Sequence, residues 1–203
     1  MRNDFEPAGE NAPNRYYDPR FKCESVKLLP GEYFATNRDV ALVTVLGSCV
    51  AACLRDRESG IGGMNHFMLP HGGGDGPVSA SARYGVHAME LLINHLVGLG
   101  ARRRNLEAKV FGGGNVVPGF TALNVGESNA AFVVSFLEAE SIPIVAEDLQ
   151  GTISRKVYFF PASGRALVRG IRSAHNRTIL DREAQYGQKL RDLPSGGPVE
   201  IFT

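Results

Sequence analysis

The sequence contains no tryptophan, only three cysteines and almost no net charge, with 22 basic residues against 21 acidic ones leaving +1. Each shortage closes a class of function. Balanced charge removes the electrostatic footprint expected of a chain that binds nucleic acid or an anionic surface. The run Arg102-Arg103-Arg104 is a local exception, and a short basic run after a helix reads as a solvated turn. Cys23, Cys49 and Cys53 are too few for a disulfide framework and fit a reducing compartment, where a free thiol persists. No stretch approaches the ~20 apolar residues that span a bilayer, and Met1-Arg2-Asn3-Asp4 opens on polar residues without a signal-peptide core. A cytoplasmic protein without membrane insertion is expected. Phosphate-binding motifs are missing too. The glycine runs at 72–74 and 112–114 neither continue into Gly-Lys-Ser/Thr nor complete G-x-G-x-x-G ahead of a helix, so nucleotide is not expected, and no other cofactor is.

What is present is a chain of 203 residues, 43% hydrophobic, which suits one domain with loose ends. Residues 1–22 mix Asn, Pro, Glu, Gly and Arg without apolar periodicity and read as a disordered or loosely attached arm. Residues 23–172 form the domain, and 173–203 a charged surface helix or flexible tail. Within the domain, short strands flank the Pro30-Gly31 turn. Residues 40–46 and 50–54 are apolar enough for buried strands meeting at Gly47-Ser48-Cys49, and a polar connection over 55–60 returns as a strand over 61–69. Apolar residues at i, i+3, i+4 spacing predict helices over 82–99 and 128–140. Further strands are expected over 106–111 and 142–149, with 156–160 and 165–171 as a hairpin. Strands outnumber helices and the early ones follow each other through hairpin-length connections, an α+β pattern.

One stretch carries the chemistry. Cys49 follows a Gly47-Ser48 bend, where the N–H groups of Ser48 or Cys49 can turn toward a developing oxyanion, and His66 lies on the expected neighbouring strand. A thiol and an imidazole in reach of each other are the minimum equipment of a cysteine hydrolase. Cys49 and Cys53 with His66 and His71 have spacing that a zinc site permits. The intervening Val50-Ala51-Ala52 is strand-like rather than a tight turn, so no metal is expected. Cys23 and Cys53 read as small buried hydrophobes, and His71, His87, His95 and His175 as satisfied or exposed. Ser48 and Asn115, at a bend and a glycine loop, are candidates to recognise an amide.

Leu46-Gly47-Ser48-Cys49-Val50, then Ile61-Gly62-Gly63-Met64-Asn65-His66-Phe67-Met68-Leu69-Pro70, then Ala108-Lys109-Val110-Phe111-Gly112-Gly113, then Ile144-Val145-Ala146-Glu147-Asp148-Leu149 together closely resemble the CheD family of chemoreceptor glutamine deamidases. The resemblance runs in order over residues 26–168. It implies hydrolysis of selected glutamine side chains on methyl-accepting chemotaxis receptors, giving glutamate and ammonia. It also implies a cysteine, histidine and threonine site, packed β-sheets flanked by helices as in bacterial toxin deamidases, and, in some bacteria, binding to a CheC phosphatase. Carried across, Cys49 is the nucleophile and His66 the base. The family threonine stands six residues before the cysteine; that place is Val43 here, with Thr44 one step later. A one-residue offset on a strand reverses the face on which a side chain points. Either a bulge or bend makes Thr44 the third member, or the Val43 carbonyl orients the imidazole. The sequence also has Leu149-Gln150-Gly151 where the family has a Gly-Gly pair. Two other readings remain: a cysteine amidohydrolase with another substrate, and a non-catalytic module that docks on receptors or a phosphatase. A Cys49 activated by His66 is expected to alkylate well below the pH of an ordinary thiol.

Overall fold

A computed structural model describes residues 14–69, 80–116, 125–171 and 176–191. The glycine run at 72–74, His71 and His175 lie outside the described residues. The centre of the molecule is the pair of strands β4 (Ala41–Leu46) and β5 (Val50–Asp56), nearly every residue of which is buried. The chain turns between them at Gly47-Ser48-Cys49, and each strand enters a different sheet. In chain order the other strands are β1 (Arg15–Asp18), β2 (Cys23–Lys27), β3 (Tyr33–Thr36), β6 (Gly62–Asn65), β7 (Leu106–Gly112), β8 (Ile144–Leu149), β9 (Ser154–Phe160) and β10 (Arg165–Ile171). One sheet runs β1-β2-β4-β9-β10 and the other β3-β6-β5-β7-β8. Both are mixed, through the parallel pairs β2–β4 and β7–β8. With the helices α1 (Ala80–Gly98), α2 (Val125–Ala139) and α3 (Asn176–Arg191) this is the expected α+β arrangement.

Strand parity explains the layers. Val50, Ala52 and Leu54 of β5 join Ala88, Met89, Leu92, Val133 and Leu137 of α1 and α2 in one core cluster. Ala51 and Cys53, pointing the other way, join Leu42, Val157 and Phe159 of the facing sheet. A strand buried on both faces has no polar alternation, which is why residues 50–54 read as a continuous apolar run. Each fully buried Leu or Phe, such as Leu42, Leu54 and Phe159, contributes roughly 1.5–3 kcal/mol. On β4, Leu42 and Leu46 face the second sheet, while Ala41 and Val43 pack with Tyr158 and Phe160 on the opposite face. Thr44 shares the parity of Leu42 and Leu46 and therefore points between the sheets.

Several expectations need correction. The short strands expected on either side of Pro30-Gly31 are present as β2 and β3, and they enter different sheets. The strand expected over 61–69 keeps regular pairing only to Asn65, because His66 turns its backbone to the other side, donating to Glu32 O (2.9 Å) and accepting from Gly31 N–H (2.7 Å). Phe67 then makes an isolated bridge to Val50. Helix α2 begins at Val125, ahead of the expected 128. The arm expected to be loose to residue 22 includes β1, which pairs with β2 and carries Arg15 into an ion pair with Glu24 and over the Phe34 ring. The last segment contains α3, whose inner face is buried rather than superficial: Glu183 and Leu190 are 6% and 5% exposed. Among the described residues no helix is long and apolar enough to cross a membrane.

Candidate active site

The Gly47-Ser48-Cys49 turn is held from three sides. Gly113 N–H donates to Cys49 O and Gly114 N–H to Gly47 O, both at 2.8 Å, so the end of β7 closes one flank. Gly112 makes this approach possible: its φ is +107° and a Cβ there would overlap the Cys49 carbonyl. On the second flank Asn129 of α2, fully buried, donates from Nδ2 to Ser48 O (2.9 Å) and accepts at Oδ1 from Leu69 N–H (2.8 Å). On the third, Val50 and Phe67 exchange backbone hydrogen bonds of 3.0 and 2.9 Å. That exchange brings His66 beside the cysteine.

The imidazole is fully fixed at one nitrogen. Thr44 Oγ1–H donates to Leu28 O (2.9 Å), so the same oxygen, 2.8 Å from His66 Nδ1, accepts from Nδ1–H. This places the proton on Nδ1 and leaves Nε2 as an acceptor, buried and without a hydrogen bond from any described residue. Nε2 or its ring partner lies within 4.8 Å of Cys49 Sγ. Of the two groups considered for orienting the ring, the Thr44 hydroxyl is the one hydrogen-bonded to Nδ1. Val43 O accepts instead from Leu28 N–H (2.8 Å), extending the β2–β4 pairing, and the Val43 side chain faces away from the second sheet.

A residue far along the chain completes the cluster. The Glu183 carboxylate accepts from Gly47 N–H (2.8 Å), Ser48 N–H (2.9 Å), Ser48 Oγ–H (2.7 Å) and Cys49 N–H (3.2 Å). Three successive N–H groups converging on one anion form a nest, the geometry that also receives a developing oxyanion. Gly47 lacks a side chain where one would intrude: a Cβ there would stand 2.9 Å from Glu183 Oε2. Burial, and then the adjacent Glu183 charge, push the Cys49 thiol well above its ordinary value, while burial pulls His66 down. In this state Cys49 is a thiol and His66 a neutral imidazole. The Cys49 side chain is fully buried beside that anion.

A family profile described as "CheD chemotactic sensory transduction" matches residues 68–170. The chain is 58% identical over 194 residues to a protein of Methylobacillus flagellatus named "Probable chemoreceptor glutamine deamidase CheD", covering 94% of this chain and 96% of that one. The chain belongs to the CheD family. Relatives with the same name in Thiobacillus denitrificans (60% identical, 94% and 96% covered) and, as "CheD 1", in Shewanella oneidensis (58% identical, 95% and 94% covered) agree.

Of the residues singled out in this CheD-family sequence, the fold brings Thr44, Gly47, Ser48, Cys49 and His66 together. Asn115 is not in that cluster. Its side chain is exposed and lines an open cleft with Gly113, Glu127, Gln150, Gly151 and Thr152. Cys53 is four residues up β5, about 13 Å along a strand, fully buried, and its thiol is raised by burial. It shares no site with Cys49. Cys49, His66 and Glu183 do form a compact set of possible metal ligands. Yet Nδ1 is engaged by Thr44 and both Glu183 oxygens by four donors, so the donor set is that of a Cys–His pair beside an anion seat. Sequence reasoning missed Glu183 and Asn129. Glu183 carried a faint signal, since Glu183, Tyr186, Gly187 and Leu190 repeat at i, i+3, i+4, i+7, but the charged neighbours hid it.

Proposed function

We propose that this chain hydrolyses the side-chain amide of glutamines on chemoreceptors, with Cys49 as nucleophile, His66 as general base and acid, and Thr44 as the group that orients His66. The observation that carries the reading is the chain Leu28 O, Thr44 Oγ1, His66 Nδ1, which leaves Nε2 unprotonated in a ring within 4.8 Å of the Cys49 sulfur, beside three convergent N–H groups. His66 Nε2 takes the Cys49 proton, and the thiolate bonds to the glutamine Cδ. The carbonyl oxygen becomes an oxyanion in the nest of Gly47, Ser48 and Cys49 N–H groups. Collapse breaks the Cδ–N bond, and His66 gives its proton to the departing ammonia. Nε2 then removes a proton from water, which attacks the thioester, and the released thiolate recovers that proton. Glutamate is left on the receptor.

The relatives' names supply the substrate class, chemoreceptors. We also propose the cytoplasm as the site of action and a CheC-type phosphatase as a candidate partner. The test is ammonia release, with a one-dalton mass gain per site, from receptor cytoplasmic fragments. Cys49→Ala is expected to abolish both and Cys53→Ala to leave them. Activity that survives Cys49→Ala would assign the nucleophile elsewhere; binding without ammonia release would make the chain a docking module; ammonia from small amides alone would change the substrate.

A further inference from the structure

Helix α3 is attached through one stripe. Glu183 enters the nest, Tyr186 hydrogen-bonds to Tyr84 and covers Gly31, Gly187 sits on Met68, and Leu190 joins the core between the sheets. The remaining described side chains, such as Asp181, Arg182, Gln185 and Lys189, are exposed. With α3 seated, His66 is reached by a crevice of about 20 Å³ lined by Leu28, Pro30, Val45, Arg182 and Glu183. That is room for one water and not for a glutamine side chain. The reaction proposed above therefore needs the seat of α3 vacated.

The group in the seat is itself informative. Glutamate is what glutamine becomes on deamidation, so a glutamate carboxylate in the nest is chemically the product of that reaction. Its carboxylate lies within 4.8 Å of both the Cys49 sulfur and a His66 ring nitrogen, where a substrate carbon must come for attack. We infer that the seat of α3 is the docking surface for a receptor helix, and that α3 occupies it as an internal product mimic, with Glu183 standing in for the modified receptor residue. This rests on the deamidase reading and adds its regulation: the free protein is closed, and a receptor helix competes with α3 for the same stripe and the same nest.

The seat prefers an anion. Ser48 N–H and Oγ–H both donate to Glu183 Oε2, so an amide nitrogen at that point meets a backbone donor head-on. A glutamate in the seat is held more firmly than a glutamine, which suits a resting plug.

The experiment uses the full chain, wild type beside Glu183→Ala and the isosteric Glu183→Gln, with circular dichroism as the folding check. Iodoacetamide labelling of Cys49, read by peptide mass, and ammonia release from receptor fragments are followed together. If the wild type is about 90% closed, Glu183→Ala accelerates both by about tenfold, with Glu183→Gln between. Receptor deamidation by the wild type with no gain in either variant overturns the inference and leaves the deamidase reading standing. A loss of activity on removing Glu183 also overturns it, by making Glu183 part of the machinery. Faster labelling with no ammonia from any of the three proteins keeps α3 as the cover of Cys49 and removes the deamidase reading.

Discussion

One hydroxyl on Thr44 makes two hydrogen bonds, and Thr44→Val removes both while keeping the shape. The buried Nδ1–H then loses its acceptor, at a cost of roughly 1–3 kcal/mol, and the ring is free to choose the wrong tautomer. We expect kcat to fall by about 10- to 100-fold, at or below the low end of the ~10²–10⁴-fold that a general base supplies because the base itself is kept, with KM little changed. An unchanged kcat would mean that Thr44 does not orient the base. Gln150 is a second residue-scale case. It sits at φ +63° and donates from its N–H to Gly112 O (2.7 Å). A left-handed non-glycine residue costs about 1–2 kcal/mol, and glycine's extra chain entropy returns about half of that. Gln150→Gly is therefore expected to raise the melting temperature by about 2–4 °C per kcal/mol gained, measured by thermal unfolding.

At the scale of elements, the nucleophile turn belongs to no single strand or helix. Asn129 makes α2 a brace, because one amide satisfies Ser48 O and Leu69 N–H together. Asn65 does the same for α1, accepting from Ala52 N–H (3.0 Å) and donating to Ala88 O (3.2 Å). Asn129→Leu leaves two backbone groups without partners and is expected to cost about 1–3 kcal/mol for each that stays dry. Asn129→Asp keeps the acceptor for Leu69 and sets a carboxylate against the Ser48 carbonyl. Because that carboxylate is buried and unpaired, its loss of stability is expected to be at least as large as that of Asn129→Leu, and both variants are expected to lose ammonia release. If both variants keep full activity, α2 does not hold the turn.

At the scale of the whole molecule, folding carries His66 into the seam between the sheets as a neutral ring, its pKa lowered by burial. In the unfolded chain the imidazole titrates near 6.5. Below that value the unfolded state binds a proton that the folded state refuses, so stability declines as pH falls. The slope approaches about 1.4 kcal/mol per pH unit, and the decline ends once the folded ring itself is protonated. The melting temperature is expected to drop between pH 7 and pH 5, and His66→Gln to flatten that profile. Superimposable profiles for the two proteins would show that the ring is not buried neutral.

Composition and pattern were enough for the α+β class and for most strands, and they singled out Cys49 and His66, which the fold sets within 4.8 Å of each other. Those depend on local periodicity and on which side chains can carry the chemistry. What the sequence left open depends on how one sheet faces the other. Thr44 is inward because β4 presents Leu42, Thr44 and Leu46 to the second sheet, a parity that no bulge was needed to create. Only the tertiary structure sets the Thr44 hydroxyl, and not the Val43 carbonyl, against Nδ1. Glu183 is the extreme case, lying 134 positions from the Cys49 N–H it meets. Only a faint stripe of Tyr186, Gly187 and Leu190 marks this carboxylate of a charged helix as the one that turns inward; its place is decided by where three backbone donors converge.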